Sequence, residues 1–149
     1  MREILFRGKR KDNGEWVYGA LINARDVIDD QQKSYIIWEA EYFSHGEFAC
    51  VEEVIPETIG QYTGLCDKNG NKIFEGDILN TNSFWNREPC VVRYGEGTFD
   101  SGIYCYTGFY YEDSRGNKDH TSLYENIDVE VIGNIHDDRL YCDVEGEIV

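Results

Sequence analysis

Little in this chain interrupts or spans. Only two prolines, Pro56 and Pro89, break its pairing potential. No apolar run approaches the ~20 residues that cross a bilayer as a helix, so a membrane role is not expected. The basic start is followed by no apolar core, so no signal peptide is expected and the cytoplasm is the default location. Five cysteines stand at positions 50, 66, 90, 105 and 142. Their number is odd and no Cys-x-x-Cys pair occurs, which leaves neither a disulfide framework nor a structural zinc site and reads as free thiols. A Gly-rich phosphate loop, a serine nucleophile elbow and a zinc-binding helix motif are all absent.

What is present favours strands. Aromatic residues make up 14 % of the chain, eleven of them Tyr, and fifteen Gly supply turns. Tyr, Phe, Trp, Val and Ile fit the pleated, half-buried surface of a sheet. At 149 residues the chain suits one domain, or two very small ones. The formal net charge is −15, which keeps a protein soluble and self-repelling. It is unevenly placed: Arg2, Arg7, Lys9, Arg10 and Lys11 against Glu3 give the first eleven residues +4. The acidic remainder argues against direct nucleic-acid binding, which rests on phosphate contacts. It suits a basic partner protein or nucleic-acid mimicry.

The stretch from Val54 to Leu79 organises the chain. Ile59–Leu65 is β-prone, Asp67-Lys-Asn-Gly70 is a turn, and Lys72–Leu79 is the return strand. Asn-Gly between two apolar runs is the strongest short-range hairpin signal, because both residues tolerate positive φ. Gly76 inside the return strand predicts a bulge or bend, the corner that a small curved barrel needs. An earlier unit uses the same grammar, with Lys11-Asp-Asn-Gly14 leading into a strand over Glu15–Asn23.

These residues also resemble a known family. Val54-Ile-Pro-Glu-Thr-Ile-Gly-Gln-Tyr-Thr-Gly-Leu, Asp67-Lys-Asn-Gly and Ile73-Phe-Glu-Gly-Asp-Ile are similar to the YopX family of small proteins encoded by phages and prophages. The opening Arg2-Glu-Ile-Leu-Phe-Arg-Gly-Lys-Arg, then Gly14-Glu-Trp-Val-Tyr-Gly, and the closing Val131-Ile-Gly-Asn-Ile-His-Asp agree with it. The resemblance spans residues 2 to 137, with a variable middle. It implies a β-rich phage accessory protein inside a bacterial host, and it implies no activity.

The remaining segments are read in order. Strands are expected over Ile4–Phe6, Ser34–Ala40, Phe48–Val54, Cys90–Tyr94, Thr98–Tyr111 and Asp128–Ile135. Turns are expected at Ala24–Lys33, Glu41–Glu47, Gly95–Gly97 and Glu112–Thr121, and one helical turn at Ser122–Asn126. The last strand carries apolar groups on both faces, as if sandwiched. The fold expected is mainly β: a small SH3-like barrel over residues 60–136 with an N-terminal β-subdomain packed against it. Its parts are 1–58, 59–137 and an acidic tail, 138–149.

Candidate chemistry is thin. His136 beside Asp137 and Asp138 could orient an imidazole for proton transfer, but Asp is common as a turn former at such a strand end. His45 and His120 read as exposed. Asp67-x-Asn69-x-Asn71 has the start of a calcium loop without its closing bidentate Glu, and a hairpin turn explains it. Glu75-Gly-Asp77 places two carboxylates at a bend, with no further catalytic pattern. The run Tyr104–Tyr111 could be an aromatic ligand stripe; a chain this small needs those rings for its core. Phe84 and Trp85 in a polar loop, with Tyr141 in the tail, are the candidate interaction residues. No catalytic residue, cofactor or metal is expected. The expectation is a non-enzymatic protein acting through protein contacts, with a basic host protein or further copies of itself as partner. The alternatives are a self-assembling structural protein and an enzyme built on His136, Asp137 and Glu75.

Overall fold

A computed structural model describes residues 2–43, 46–81, 89–99, 104–119 and 128–137. The chain runs β1 (Phe6–Lys9), β2 (Trp16–Arg25), β3 (Gln32–Phe43) and β4 (Gly46–Val54). A single 3-10 turn at Pro56–Thr58 leads to β5 (Gly60–Cys66), β6 (Lys72–Phe74), β7 (Asp77–Thr81) and β8 (Cys90–Phe99). Last come β9 (Tyr104–Glu112), β10 (Lys118–Asp119) and β11 (Val129–Asn134). The protein is mainly β. It divides into two compact units, Met1–Tyr62 and Thr63–Val149, and the dividing line falls inside β5.

The first unit orders its strands β4-β3-β2-β1-β5, and the pairings are antiparallel. The turn before β2 is built as its sequence demands. Gly14 has φ +73, its N–H reaches the Arg10 carbonyl at 2.9 Å, and the Asn13 side chain accepts the Glu15 N–H. The far strand β4 is fastened back onto the end of β1. Arg10 bridges Val54, the Lys11 N–H donates to the Glu53 carbonyl at 3.0 Å, and the Ile55 N–H donates to the Lys9 carbonyl at 2.9 Å. Gly8 makes room for this closure, since a Cβ there would stand 3.0 Å from the Val54 Cβ. Ser34, Ile36 and Val54 are buried on the same side of the sheet, because Ser34 pairs with Val54 and Ile36 lies two residues along β3.

Gly19 is the tightest point. A Cβ there would fall 2.0 Å from the Ile37 carbonyl oxygen, so the strand accepts no side chain. One residue further along β3 the ladder slips: Ile37 pairs with Val51 and Glu39 with Cys50. Trp38 is the extra residue of this bulge and is exposed. The expected strand end at Ala40 is corrected, since β3 continues to Phe43 and β4 begins at Gly46. Backbone pairing carries both strands through Glu41↔Phe48 and Tyr42↔Glu47.

In the second unit β10-β9-β8-β7-β11 form an antiparallel sheet, and β6 follows beside the second half of β5. Its core gathers Ile73, Leu79, Cys90, Val92, Phe109, Tyr111 and Val129, with Leu65 and Val131 at the margin. The end of the aromatic run supplies core, as Phe109, Tyr110 and Tyr111 are all buried; the side chains of Tyr104 and Tyr106 lie outside the described ones. The bend at Gly76 is present as a turn between β6 and β7, with φ +90, and Asp77 caps it by accepting the Phe74 N–H at 2.8 Å.

The SH3-like barrel expected over residues 60–136 is replaced: among the described residues the strands of the second unit form an open antiparallel sheet, β10-β9-β8-β7-β11, and not a closed barrel. The expected turn at Gly95-Glu-Gly97 is extended backbone inside β8, where Gly95 pairs with Gly108 and Gly97 with Tyr106. The space over Gly95 is held by the Tyr110 ring, 3.6 Å from where a Cβ would be. The expected corner is instead a continuous β8–β9 ladder from Val91↔Glu112 to Phe99↔Tyr104. The last strand is not sandwiched either. The pairs Val131↔Leu79 and Gly133↔Ile78 leave Ile132 as a bulged extra residue, and it is exposed. The helical turn expected at 122–126 and the tail from Asp138 lie outside the described residues.

The two kinds of glycine constraint separate in a stability experiment. Gly19→Ala is expected to cost about 3 kcal/mol or more, since it forces a backbone shift. Gly70→Ala, at φ +82 with nothing near the new Cβ, is expected to cost only about 1–2 kcal/mol of backbone strain. Urea unfolding followed by tryptophan fluorescence reads both; equal costs would contradict the Gly19 crossing.

Candidate functional site

The basic start of the chain folds into one face of the first unit. Arg7 and Lys9 alternate on β1 and face Tyr18 and Trp16 of β2. The Arg7 guanidinium lies 4.7 Å and the Lys9 ammonium 5.4 Å from the Trp16 ring centre, close enough for cation–π attraction. Arg7 is buried. Arg10 grips Asp12 through two hydrogen bonds, at 3.0 and 2.8 Å, and reaches Glu52 at 3.3 Å. The hydrogen bond from Arg10 holds the Asp12 carboxyl below its ordinary value. Lys11 pairs with Glu53 at 3.1 Å. The four cations are thus committed to Trp16 and to neighbouring carboxylates, not arrayed as a phosphate-binding stripe.

Beyond Trp16 the same face turns apolar and open. Alternation along β2 carries it through Tyr18, Ala20 and Ile22. Cross-strand pairing adds Tyr35 and Ile37 of β3, then Val51 of β4. Tyr18, Ile22 and Val51 are 46 %, 41 % and 46 % exposed, values high for large apolar groups in neighbouring strands. Single exposed apolar residues are ordinary, whereas a contiguous set marks a contact surface. Sequence reading missed this face, because the apolar pair Leu21-Ile22 blurred the alternation and the exposed side could not be chosen.

In the second unit the calcium-like loop is a hydrogen-bonded turn. The Asp67 carboxylate accepts four N–H groups. Asn69 and Asn71 backbone amides meet Oδ1 at 2.9 and 2.8 Å. The Asn71 side chain and the Val131 backbone amide meet Oδ2 at 3.2 and 3.0 Å. Asn69 is not in the positive-φ region expected of an Asn-Gly hairpin; only Gly70 is. The turn is longer than the two-residue type, closed by Asp67 N–H to Asn71 C=O at 2.8 Å. The same Asp-x-x-Gly-Asn spelling recurs at Asp113–Asn117. There the Asp113 carboxylate again accepts two backbone amides and the Asn117 side chain, and Gly116 has φ +82. The recurrence is visible in the sequence once the side-chain role of the Asp is known.

The two ends of the enzyme-like constellation do approach each other. The His136 ring lies over Gly76, its Nε2 3.5 Å from where a Cβ would stand, and the Ile135 N–H donates to the Gly76 carbonyl. Asp137, however, is a turn former: its carboxylate accepts the Asn134 side-chain N–H at 2.8 Å, while Asn134 Oδ1 accepts the His136 and Asp137 amides. Asp77 is committed to the Gly76 turn. Cys50, Cys66 and Cys90 are thiols outside any disulfide. Burial, then the nearby Glu39 and Glu52, push the Cys50 thiol up, away from the thiolate a nucleophile needs. Phe84, Trp85, Tyr141, His45, His120 and Asp138 lie outside the described residues. Among the described residues no cluster of His, Cys, Asp and Glu could hold a metal ion, and no helix is long and apolar enough to cross a membrane.

Fold and surface define a two-unit antiparallel β protein with an open apolar face. The comparisons place it more closely. The YopX protein family model matches residues 5–140, so the chain belongs to the YopX family. Among solved structures it is similar to protein EF1440 from Enterococcus faecalis, at 23 % identity and a TM-score of 0.49, covering 91 % of this chain and 95 % of that one. No curated protein matches it.

Acid should expose the role of Asp67. Its burial pushes the carboxyl up, but the N–H groups of Val131, Asn71 and Asn69 outweigh this and hold it below the ordinary value, about 3.9. A depressed folded value means the stabilisation is fully present above about pH 4 and is lost as pH falls through the depressed value. Asp67→Asn is expected to cost about 1–3 kcal/mol at pH 7 and to flatten the acid limb of stability against pH. An unchanged acid limb would show that Asp67 is not the group that titrates.

Proposed function

We propose that this YopX-family protein is a phage or prophage accessory protein, non-enzymatic, acting in the bacterial cytoplasm through protein–protein contacts. The observation that carries the reading is the open apolar face running from Tyr18 and Ile22 to Val51. It lies on well-paired strands, so little ordering entropy opposes binding. The chain as a whole is strongly acidic, at −15. That charge favours a basic host protein as partner and steers its encounter. The same charge opposes stacking of identical copies, although an apolar sheet face could also be covered by a second copy.

The test compares wild-type protein with the double variant Tyr18→Ser/Val51→Ser. Both side chains are half in water, so each change is expected to cost under about 1 kcal/mol of stability. Tagged proteins are incubated with host lysate and captured proteins identified by mass, while light scattering gives the mass of each protein alone. A stoichiometric basic partner held by the wild type and lost from the variant supports the proposal. A defined wild-type oligomer that dissociates in the variant would replace it with self-assembly. Equal capture by both proteins would remove this face from the function.

A further inference from the structure

The hairpin joining β2 to β3 ends in two bare aliphatic side chains. Val27 is 96 % and Ile28 92 % exposed. Both are β-branched, at turn positions where Gly, Asn, Asp or Ser is the usual choice. The backbone beneath them is tied down. The Asp26 N–H donates to the Gln31 carbonyl at 2.8 Å and the Asp30 N–H to the Asp26 carbonyl at 3.0 Å. Asp26 Oδ1 accepts the Ile28 N–H at 2.8 Å, and Asp29 accepts the Gln31 N–H at 3.1 Å. Lys33 clamps Asp26 at 2.6 Å and Asp29 at 2.8 Å, and Arg25 pairs with Asp30. These hydrogen bonds from Lys33 hold the Asp26 and Asp29 carboxyls below their ordinary values. Asp30 has φ +61, and it is the only non-glycine with positive φ among the described residues.

An aliphatic pair in water on a mobile loop would be unremarkable. Here the tip is braced by ion pairs and local hydrogen bonds, and a residue is held in the left-handed region to shape it. Bracing removes the entropy that ordering a loop on binding would cost. The feature suits insertion into a concave apolar site. Charge selects the occupant. Within Arg25–Lys33 three carboxylates face two cations, on a chain of net −15. Anionic lipid headgroups and a second copy of this chain would both repel such a tip. A pocket with cationic side chains at its rim would attract it.

We infer that Val27 and Ile28 form a finger that inserts into an apolar, basic-rimmed pocket on a different protein. This deepens the contact function proposed above and rests on it, but it uses a different surface from the Tyr18–Val51 face.

The test places p-benzoylphenylalanine at position 27 of the full chain in bacterial host cells, with the same residue at the exposed position 115 as control. Irradiation is expected to give one heterologous adduct from position 27. Its mapped peptide should line an apolar pocket flanked by Lys or Arg. With that protein purified, Val27→Ser/Ile28→Ser should raise Kd about tenfold or more while leaving the melting temperature unchanged, and added salt should weaken the wild-type complex. Several results overturn the inference: an adduct to a second copy, an adduct no stronger than at position 115, a pocket without cations, or wild-type affinity in the double variant. Co-sedimentation of the wild type with phosphatidylcholine–phosphatidylglycerol vesicles would overturn it too, in favour of lipid. If Tyr18→Ser/Val51→Ser breaks a complex that the finger variant leaves intact, the contact reading stands and the finger falls. If neither variant weakens any complex, both fall.

Discussion

The second unit hangs on one carboxylate. Asp67 gathers four N–H groups, three from its own turn and one, Val131, from a strand 64 residues later. The turn alone would need only a local cap. The fourth bond makes the cap a register pin, because it fixes which residue of β11 stands beside the turn. A backbone carbonyl bond reinforces it, as Lys68 N–H donates to the Val129 carbonyl at 3.0 Å. With that register set, Val129 falls into the core beside Leu79 and Cys90. A neutral amide could supply one acceptor oxygen and would turn donors toward donors. Among the described residues, the same spelling at Asp113 gathers only groups of its own turn, the Arg115 and Asn117 amides and the Asn117 side chain.

Much of this was legible from residue types. The turns at Gly14, Gly70 and Gly76, the strands around them and the core role of Phe109–Tyr111 follow from turn chemistry and aromatic content. The YopX likeness was carried by the same central segment. The continuation of β8 through this stretch was not legible, because Gly95 and Gly97 carry the same letters whether a strand turns or continues. Their extended backbone depends on cross-strand partners, Gly108 and Tyr106, which no local pattern names. The two bulges were hidden for a similar reason. One extra residue shifts every later side chain to the opposite face, so Trp38 points outward where simple alternation from the buried Ile36 would turn it inward.

The surface was the least legible part. Net charge suggested an acidic exterior, with the basic residues gathered at the start of the chain. Pairing resolved the contrast: Arg10 and Lys11 are balanced by Asp12, Glu52 and Glu53, and Arg7 and Lys9 sit on Trp16. Beside these ion pairs the first unit exposes an apolar face at Tyr18, Ile22 and Val51. The Val27-Ile28 dipeptide lay in plain view inside a segment read as a polar loop, since its five charged neighbours dominated the composition of that stretch.

The fastening of β4 onto β1 also orders events in time. The β2–β3 and β3–β4 hairpins join near neighbours and can form as soon as they leave the ribosome. The bonds from Lys9 and Lys11 to Ile55 and Glu53, and the Lys9 N–H to Thr58 Oγ1 bond spanning 49 residues, cannot. Those contacts wait for Glu53 to Thr58 to be synthesised, at about 5–20 residues per second, far slower than the microseconds in which a hairpin forms. During synthesis the first unit therefore waits as an unclosed sheet until Thr58 emerges, with Gly8 and Val54 still apart. For that interval its inner face, Ile36 included, is exposed, and it is then that a chaperone would find it.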